Sequence, residues 1–150
     1  MATGKANLRR KPHILFVSQA TSARTPMAAA YGAQMLGDLV EVRAAGMEVT
    51  AIDPRTRDAL KQEGLKAEGL DSRRLDEDLL EWADLVVTLC ADAQRIRLPE
   101  RDSFVHKNWP IDSPARQATG SEDSKPYLRT RDEIKRRVHQ LATSIKLMHR

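Results

Sequence analysis

The residues best suited to chemistry are Ser18-Gln19-Ala20-Thr21-Ser22-Ala23-Arg24, followed by Thr25-Pro26-Met27-Ala28-Ala29-Ala30-Tyr31. Ala20, Ser22 and Ala23 are small enough for backbone to approach a ligand closely. Arg24 offers a planar fork that matches two oxygens of a tetrahedral anion. Thr25 can cap the orphan amides of a helix, Pro26 suits the first helical position, and the alanine run is a strong helix former. A short loop entering such a helix gathers N–H groups around one point, and the positive end of the helix dipole reinforces them. The chemistry expected of residues 18–25 is capture of an oxyanion. The simpler alternative is an ordinary strand-to-helix turn with a surface arginine.

Elsewhere the reactive inventory is thin. Cys90 is the single cysteine, which excludes an intramolecular disulfide and any cysteine-cluster metal site. It follows an apolar run, so it reads as a small buried hydrophobe, with a redox or adduct-forming thiol as the alternative. His13, His106, His139 and His149 are scattered without ligand spacing, so neither a metal nor another cofactor is expected.

The loop needs a scaffold, and the pattern around it predicts one. His13-Ile14-Leu15-Phe16-Val17 suits a strand buried on both faces, breaking at Ser18. Gly37 is a plausible stop for the helix begun at Thr25. Val40-Glu41-Val42-Arg43-Ala44 alternates as a half-covered strand does. Asp53 as cap, Pro54 at the first position and Gly64 as stop mark a second helix. Residues 76–82 read as a short helix with Leu75, Leu79, Leu80 and Trp82 on its apolar side. Leu85-Val86-Val87-Thr88-Leu89 is a second buried strand, and a weak one is expected near Phe104-Val105. From about Tyr127 a long amphipathic helix carries Ile134, Val138, Leu141, Ile145 and Met148 as its core stripe. This alternation predicts an α/β domain: a doubly wound, open parallel sheet of about four strands with helices on both faces. Ligands in such sheets sit at the carboxyl ends of strands, which again selects the loop after Val17.

Size and charge set limits on function. A chain of 150 residues with 41% hydrophobic and 31% charged residues reads as one globular domain over 13–150, behind a flexible basic leader over 1–12. The apolar runs are far too short for a membrane span, and no export signal is evident, so a cytoplasmic address is expected. The formal charge of +4 is concentrated at the two ends, in the leader and in a C-terminal helix bearing Arg129, Arg131, Lys135, Arg136 and Arg137. Such a helix could meet an acidic protein partner, although a solvated face is the plainer reading. Six aromatics and no nucleic-acid motif argue against sequence-specific DNA or RNA binding.

Phe16-Val17-Ser18-x5-Arg24-Thr25-Pro26-Met27-Ala28 resembles the phosphate loop of low-molecular-weight protein tyrosine phosphatases and of the related thioredoxin-coupled arsenate reductases. Ala44-Ala45-Gly46 is similar to the family's Ser-Ala-Gly after the second strand, and Asp53-Pro54-Arg55 through Gly64-Leu65 to its second helix. The run Ala83 to Ala93, with Leu75-Asp76-Glu77, resembles the arsenate reductase branch in particular. So do Trp109-Pro110-Ile111-Asp112-Ser113-Pro114-Ala115 and Arg131-Asp132-Glu133-Ile134. The likeness covers about 13–140 and implies the family's phosphatase-like fold.

The departures bear on function. The family's nucleophilic cysteine corresponds to Ser18, whose hydroxyl stays protonated where a thiol in that cradle would ionise. The general acid, an Asp directly before Pro, corresponds to Ser113, with Asp112 one residue earlier as a possible substitute. The loop Asn corresponds to Thr21. Of the reductase relay, Cys90 matches the second thiol, while the third falls on Arg97 and an additional loop thiol on Ala23. One thiol cannot form the disulfide that thioredoxin reduces. Ser18 could be natural or an engineered trap, and several independent departures fit a natural divergence better.

Three functions follow. The first is an oxyanion-binding or regulatory pseudoenzyme that holds phosphate, arsenate, sulfate or a phosphorylated ligand. The second is a phosphatase or arsenate-processing enzyme in which Ser18 attacks or positions water, assisted by Asp112 or Ser113. The third is an interaction protein that uses its basic ends. Trp109 and Tyr127 are expected either in the core or at the mouth of the anion site.

Overall fold

The computed structural model describes residues 10–67, 69, 72–91 and 96–148. Its strands are β1 (His13–Ala20), β2 (Glu41–Glu48), β3 (Arg73–Arg74), β4 (Leu85–Thr88) and β5 (Val105–Asn108), all parallel, in the order β3-β2-β1-β4-β5. The helices are α1 (Arg24–Leu36), α2 (Pro54–Lys61), α3 (Glu77–Trp82), α4 (Pro114–Gln117) and α5 (Lys125–Met148). The fold is therefore the expected parallel α/β sheet, with five strands rather than about four. The additional strand is β3, two exposed arginines long, so it leaves no hydrophobic signature in the sequence. The weak strand near Phe104-Val105 forms slightly later, as β5.

β1 shows why the strand run is apolar throughout. Ile14 and Phe16 enter one core with Met27 and Tyr31 of α1, Leu60 of α2, and Ile134 and Val138 of α5. Leu15 and Val17 enter a second, with Leu79 and Leu80 of α3 and Phe104. Successive side chains on a strand point to opposite faces, so both faces demand hydrophobes.

Two ends differ from expectation. The stripe on α5 runs out at Met148, which is 81% exposed, because the helix outlasts the sheet beneath it. Residues 10–12 of the expected leader are attached to the body: Arg10 makes two bonds of 2.9 Å to Asp84, and Lys11 Nζ donates to Gly37 O. Residues 1–9 and His149 lie outside the described residues. Among the described residues no helix is long and apolar enough to cross a membrane.

Candidate functional site

β1 carries Ser18, Gln19 and Ala20 to the carboxyl end of the sheet, where Ser18 pairs with Gly46 and Ala20 with Glu48. The strand thus continues past the expected break at Val17, and only Thr21, Ser22 and Ala23 separate it from α1. The expected cap moves as well. Ala23, not Thr25, is the N-cap residue; it makes no side-chain cap bond, and no acid stands in the first turn. Starting the helix at Arg24 turns Thr25 inward, where its buried hydroxyl accepts a hydrogen bond from Ser72 Oγ at 3.1 Å.

The loop is held from outside by the connection between β2 and α2. Thr21 Oγ1 donates to Thr50 O at 2.7 Å and accepts from Thr50 N at 2.8 Å. Ser22 O accepts from Asp53 N at 3.0 Å and from Thr56 Oγ1 at 2.8 Å. A Cβ at Gly46 would stand 2.5 Å from Thr21 Cγ2, so only glycine lets Thr21 sit there. A trans peptide points its N–H opposite its C=O. With the Ser22 carbonyl turned toward α2, the Ala23 N–H faces away from it.

Arg24 extends across the same side. Its Nη1 donates to Leu89 O at 2.8 Å and Ile111 O at 2.9 Å, which ties the guanidinium beneath the ends of β4 and β5. The side chain is deeply buried. Burial pushes its pKa down, opposed by the neighbouring Cys90, which is also a hydrogen-bond partner, and by the charge of Asp112. The guanidinium remains a cation, because arginine does not deprotonate in proteins. A fixed positive charge therefore lies beside a loop, residues 18–25, whose side chains include no acid.

The other expected site residues divide. Ser18 is buried and its Oγ donates to Ala20 O, while Gln19 is exposed and Ala20 and Ser22 are half-buried. Asp112 is exposed, and its Oδ2 accepts from Gln117 Nε2 at 3.3 Å; it acts on Arg24 through space. Ser113 is the N-cap residue of α4 but makes no side-chain cap bond. Cys90 is buried in the second core, as a hydrophobe would be, yet it abuts Arg24. The Asn108 amide, oriented with its nitrogen toward them, donates to Thr88 Oγ1 and to the Thr88 and Cys90 carbonyls.

For three features that carried two readings, the structure favours one. The basic face of α5 is largely neutralised within the chain. Arg131 donates to Ala59 O and Gln62, Lys135 pairs with Glu63, and Arg136 and Arg137 share Glu133. Trp109 is core, tilted against Phe16. Tyr127 is core too, with its hydroxyl donating to Asp53 and accepting from Arg55. Sequence reasoning missed Thr56, Thr50, Ser72 and Asn108. They are ordinary polar residues far along the chain from the loop, and no local pattern marks them.

A family model described as low molecular weight phosphotyrosine protein phosphatase matches residues 13–149, and the chain belongs to this family. An arsenate reductase of Halalkalibacterium halodurans is 36% identical over 136 residues, 88% of this chain and 96% of that protein. The crystal structure of an arsenate reductase from Archaeoglobus fulgidus superposes with a TM-score of 0.68 at 29% identity, covering 87% of this chain and 98% of the other. A YwlE arginine phosphatase variant, with serine in place of cysteine and that active-site serine phosphorylated, has a TM-score of 0.66 at 26% identity; 89% of this chain and 95% of that one are covered.

Proposed function

We propose that this chain is an oxyanion-binding member of its family, holding phosphate, arsenate, sulfate or a phosphorylated ligand at Ser18–Thr25 without the cysteine chemistry of its relatives. The observation that carries this reading is the start of α1. A buried helix N-terminus with no side-chain cap and no acid in its first turn stands beside a buried arginine. The first amides of a helix have no partner within it, and an anion is well suited to that place. Binding needs only those dipoles and Arg24, whereas turnover also needs the nucleophile and acid that Ser18 and Ser113 do not supply.

Calorimetric titration of phosphate, arsenate and sulfate into the protein tests the reading, with Arg24→Lys as control. Binding at micromolar to low-millimolar concentration, weakened strongly by Arg24→Lys, is the expected result. No heat and no thermal stabilisation from any of the three anions refutes it.

A second reading draws on the phosphorylated serine of the YwlE variant. Here Ser18 Oγ forms the bond to phosphorus, the bond to the leaving oxygen or nitrogen breaks, and the hydroxyl proton passes to the leaving group by way of Asp112. Hydrolysis would then lag, because no carboxylate stands at position 113 to activate water. Incubation with an aryl phosphate and intact-mass analysis separates the readings. One phosphoryl group retained on Ser18, absent in Ser18→Ala, favours the second; an unchanged mass favours pure binding.

A further inference from the structure

One carbonyl of the loop, that of Ser22, is held outward, and the groups that hold it belong to another element. Ser22 O is bracketed by Asp53 N and Thr56 Oγ1. With both acceptor directions occupied, that carbonyl cannot rotate without breaking two bonds. The two donors differ in kind. Asp53 N–H is backbone and is present whatever the side chain, whereas the Thr56 hydroxyl is a choice of residue. That hydroxyl is not needed by α2 itself. The Asp53 side chain already caps the helix by accepting from Arg55 N at 2.8 Å, and the Thr56 amide donates to Asp53 O. Thr56 is fully buried, so water does not replace the bond when the hydroxyl is removed.

We infer that Thr56 is a positioning residue: by fixing the Ser22 carbonyl toward α2 it aims the Ala23 N–H into the cradle and sets how strongly a negative charge is held beside Ser18. Thr21, fastened to Thr50 by its reciprocal pair of bonds, anchors the same loop one residue earlier through its side chain. The strength of the site is thereby governed partly from the first turn of α2 rather than from the loop alone. The inference deepens the oxyanion reading and rests on it only for the consequence to ligand binding. The direction of the peptide dipole is independent of any ligand.

A thiol placed in the cradle measures that dipole directly, because inward amides lower its pKa. Ser18→Cys is prepared alone and combined with Thr56→Val, Thr56→Ala or Thr56→Ser. Thiolate absorbance is followed against pH, with the Cys90 signal subtracted using the protein that retains Ser18. Thr56→Val and Thr56→Ala are expected to raise the introduced thiol's pKa by about one unit, a roughly tenfold loss of thiolate at a pH below the transition. Thr56→Ser, which keeps the donor, is expected to leave it in place. In the protein that retains Ser18, Thr56→Val should weaken phosphate binding about tenfold, in proportion to the same dipole. A thiol pKa unmoved by Thr56→Val and Thr56→Ala, or moved as far by Thr56→Ser, overturns the inference. If phosphate binds none of the proteins while the thiol responds as described, the oxyanion reading falls and the positioning role stands.

Discussion

The N-termini of α1 and α2 are built from similar sequence and solve the same electrostatic problem in opposite ways. Each has proline in the first turn and a short approach from a strand. At α2 the Asp53 carboxylate accepts from Arg55 N, while the Arg55 guanidinium grips both its oxygens and Tyr127 donates to it. Asp53 is accordingly an acid held below its ordinary range, chiefly by the Arg55 side chain. At α1 the corresponding position is Ala23, and the nearby charge is the cation of Arg24. One helix carries its own anion. The other has a buried cation beside it and no acid in its first turn. An incomplete helix start, buried and next to a complete one, is the contrast on which the proposed anion site rests.

The two helix starts are joined through Ser22 O and Thr21, and the largest expected effect comes from breaking that join. Gly46→Ala drives a methyl against Thr21 Cγ2 and close to the Ser18 and Glu48 carbonyls. It should cost about 3 kcal/mol in urea unfolding, as overpacking against backbone does. Removing the internal anion comes next. Asp53→Ala deletes the cap of α2 together with its bonds to Arg55 and Tyr127, and should cost about 2 kcal/mol by the same measurement.

A milder test sharpens the contrast without mutation. Phosphate at about ten times its dissociation constant should slow hydrogen exchange of the amides in 19–25 about tenfold, leaving Arg55 and Thr56 nearly unchanged. Equal protection at both helix starts would erase the distinction drawn here.

The smallest effects are in the pH profile. Asp53 has a depressed folded pKa. Its contribution is therefore complete above the unfolded carboxylate value of about 4 and is lost as pH falls through the folded value. Asp53→Asn should flatten that acid limb by about 1 kcal/mol or less, whereas no acid in the first turn of α1 contributes to it. Tyr127 is pushed up to about 12, first by burial and then by Asp53. Its protonated form is favoured in the fold, so stability should decline as pH rises from about 10 toward 12, and Tyr127→Phe should remove that slope. Denaturant midpoints across pH measure both limbs.

Much of this molecule was legible in its residues. Ile14 to Val17 and Leu85 to Leu89 announced buried strands because every position is apolar, and Asp53-Pro54 announced a capped helix because cap chemistry is local. The spacing from Ser18 to Arg24 marked the loop for the same reason: small residues, an arginine and a helix start are properties of adjacent positions. Long-range geometry was not legible. Nothing near Thr25 says that the helix begins one residue earlier and turns its hydroxyl to Ser72. Nor does anything near Thr56 say that its hydroxyl holds a carbonyl 34 positions away.

What the sequence alone determined, then, was which segments form strands and helices and which loop joins the first strand to the first helix, since these depend on neighbours along the chain. What only the tertiary structure decided was the direction of the Ser22 carbonyl, the burial of Arg24 against Leu89 and Ile111, and the fate of most basic residues on α5. Those depend on partners brought close by the sheet order, and a hydrogen bond has no direction until both of its ends are in place.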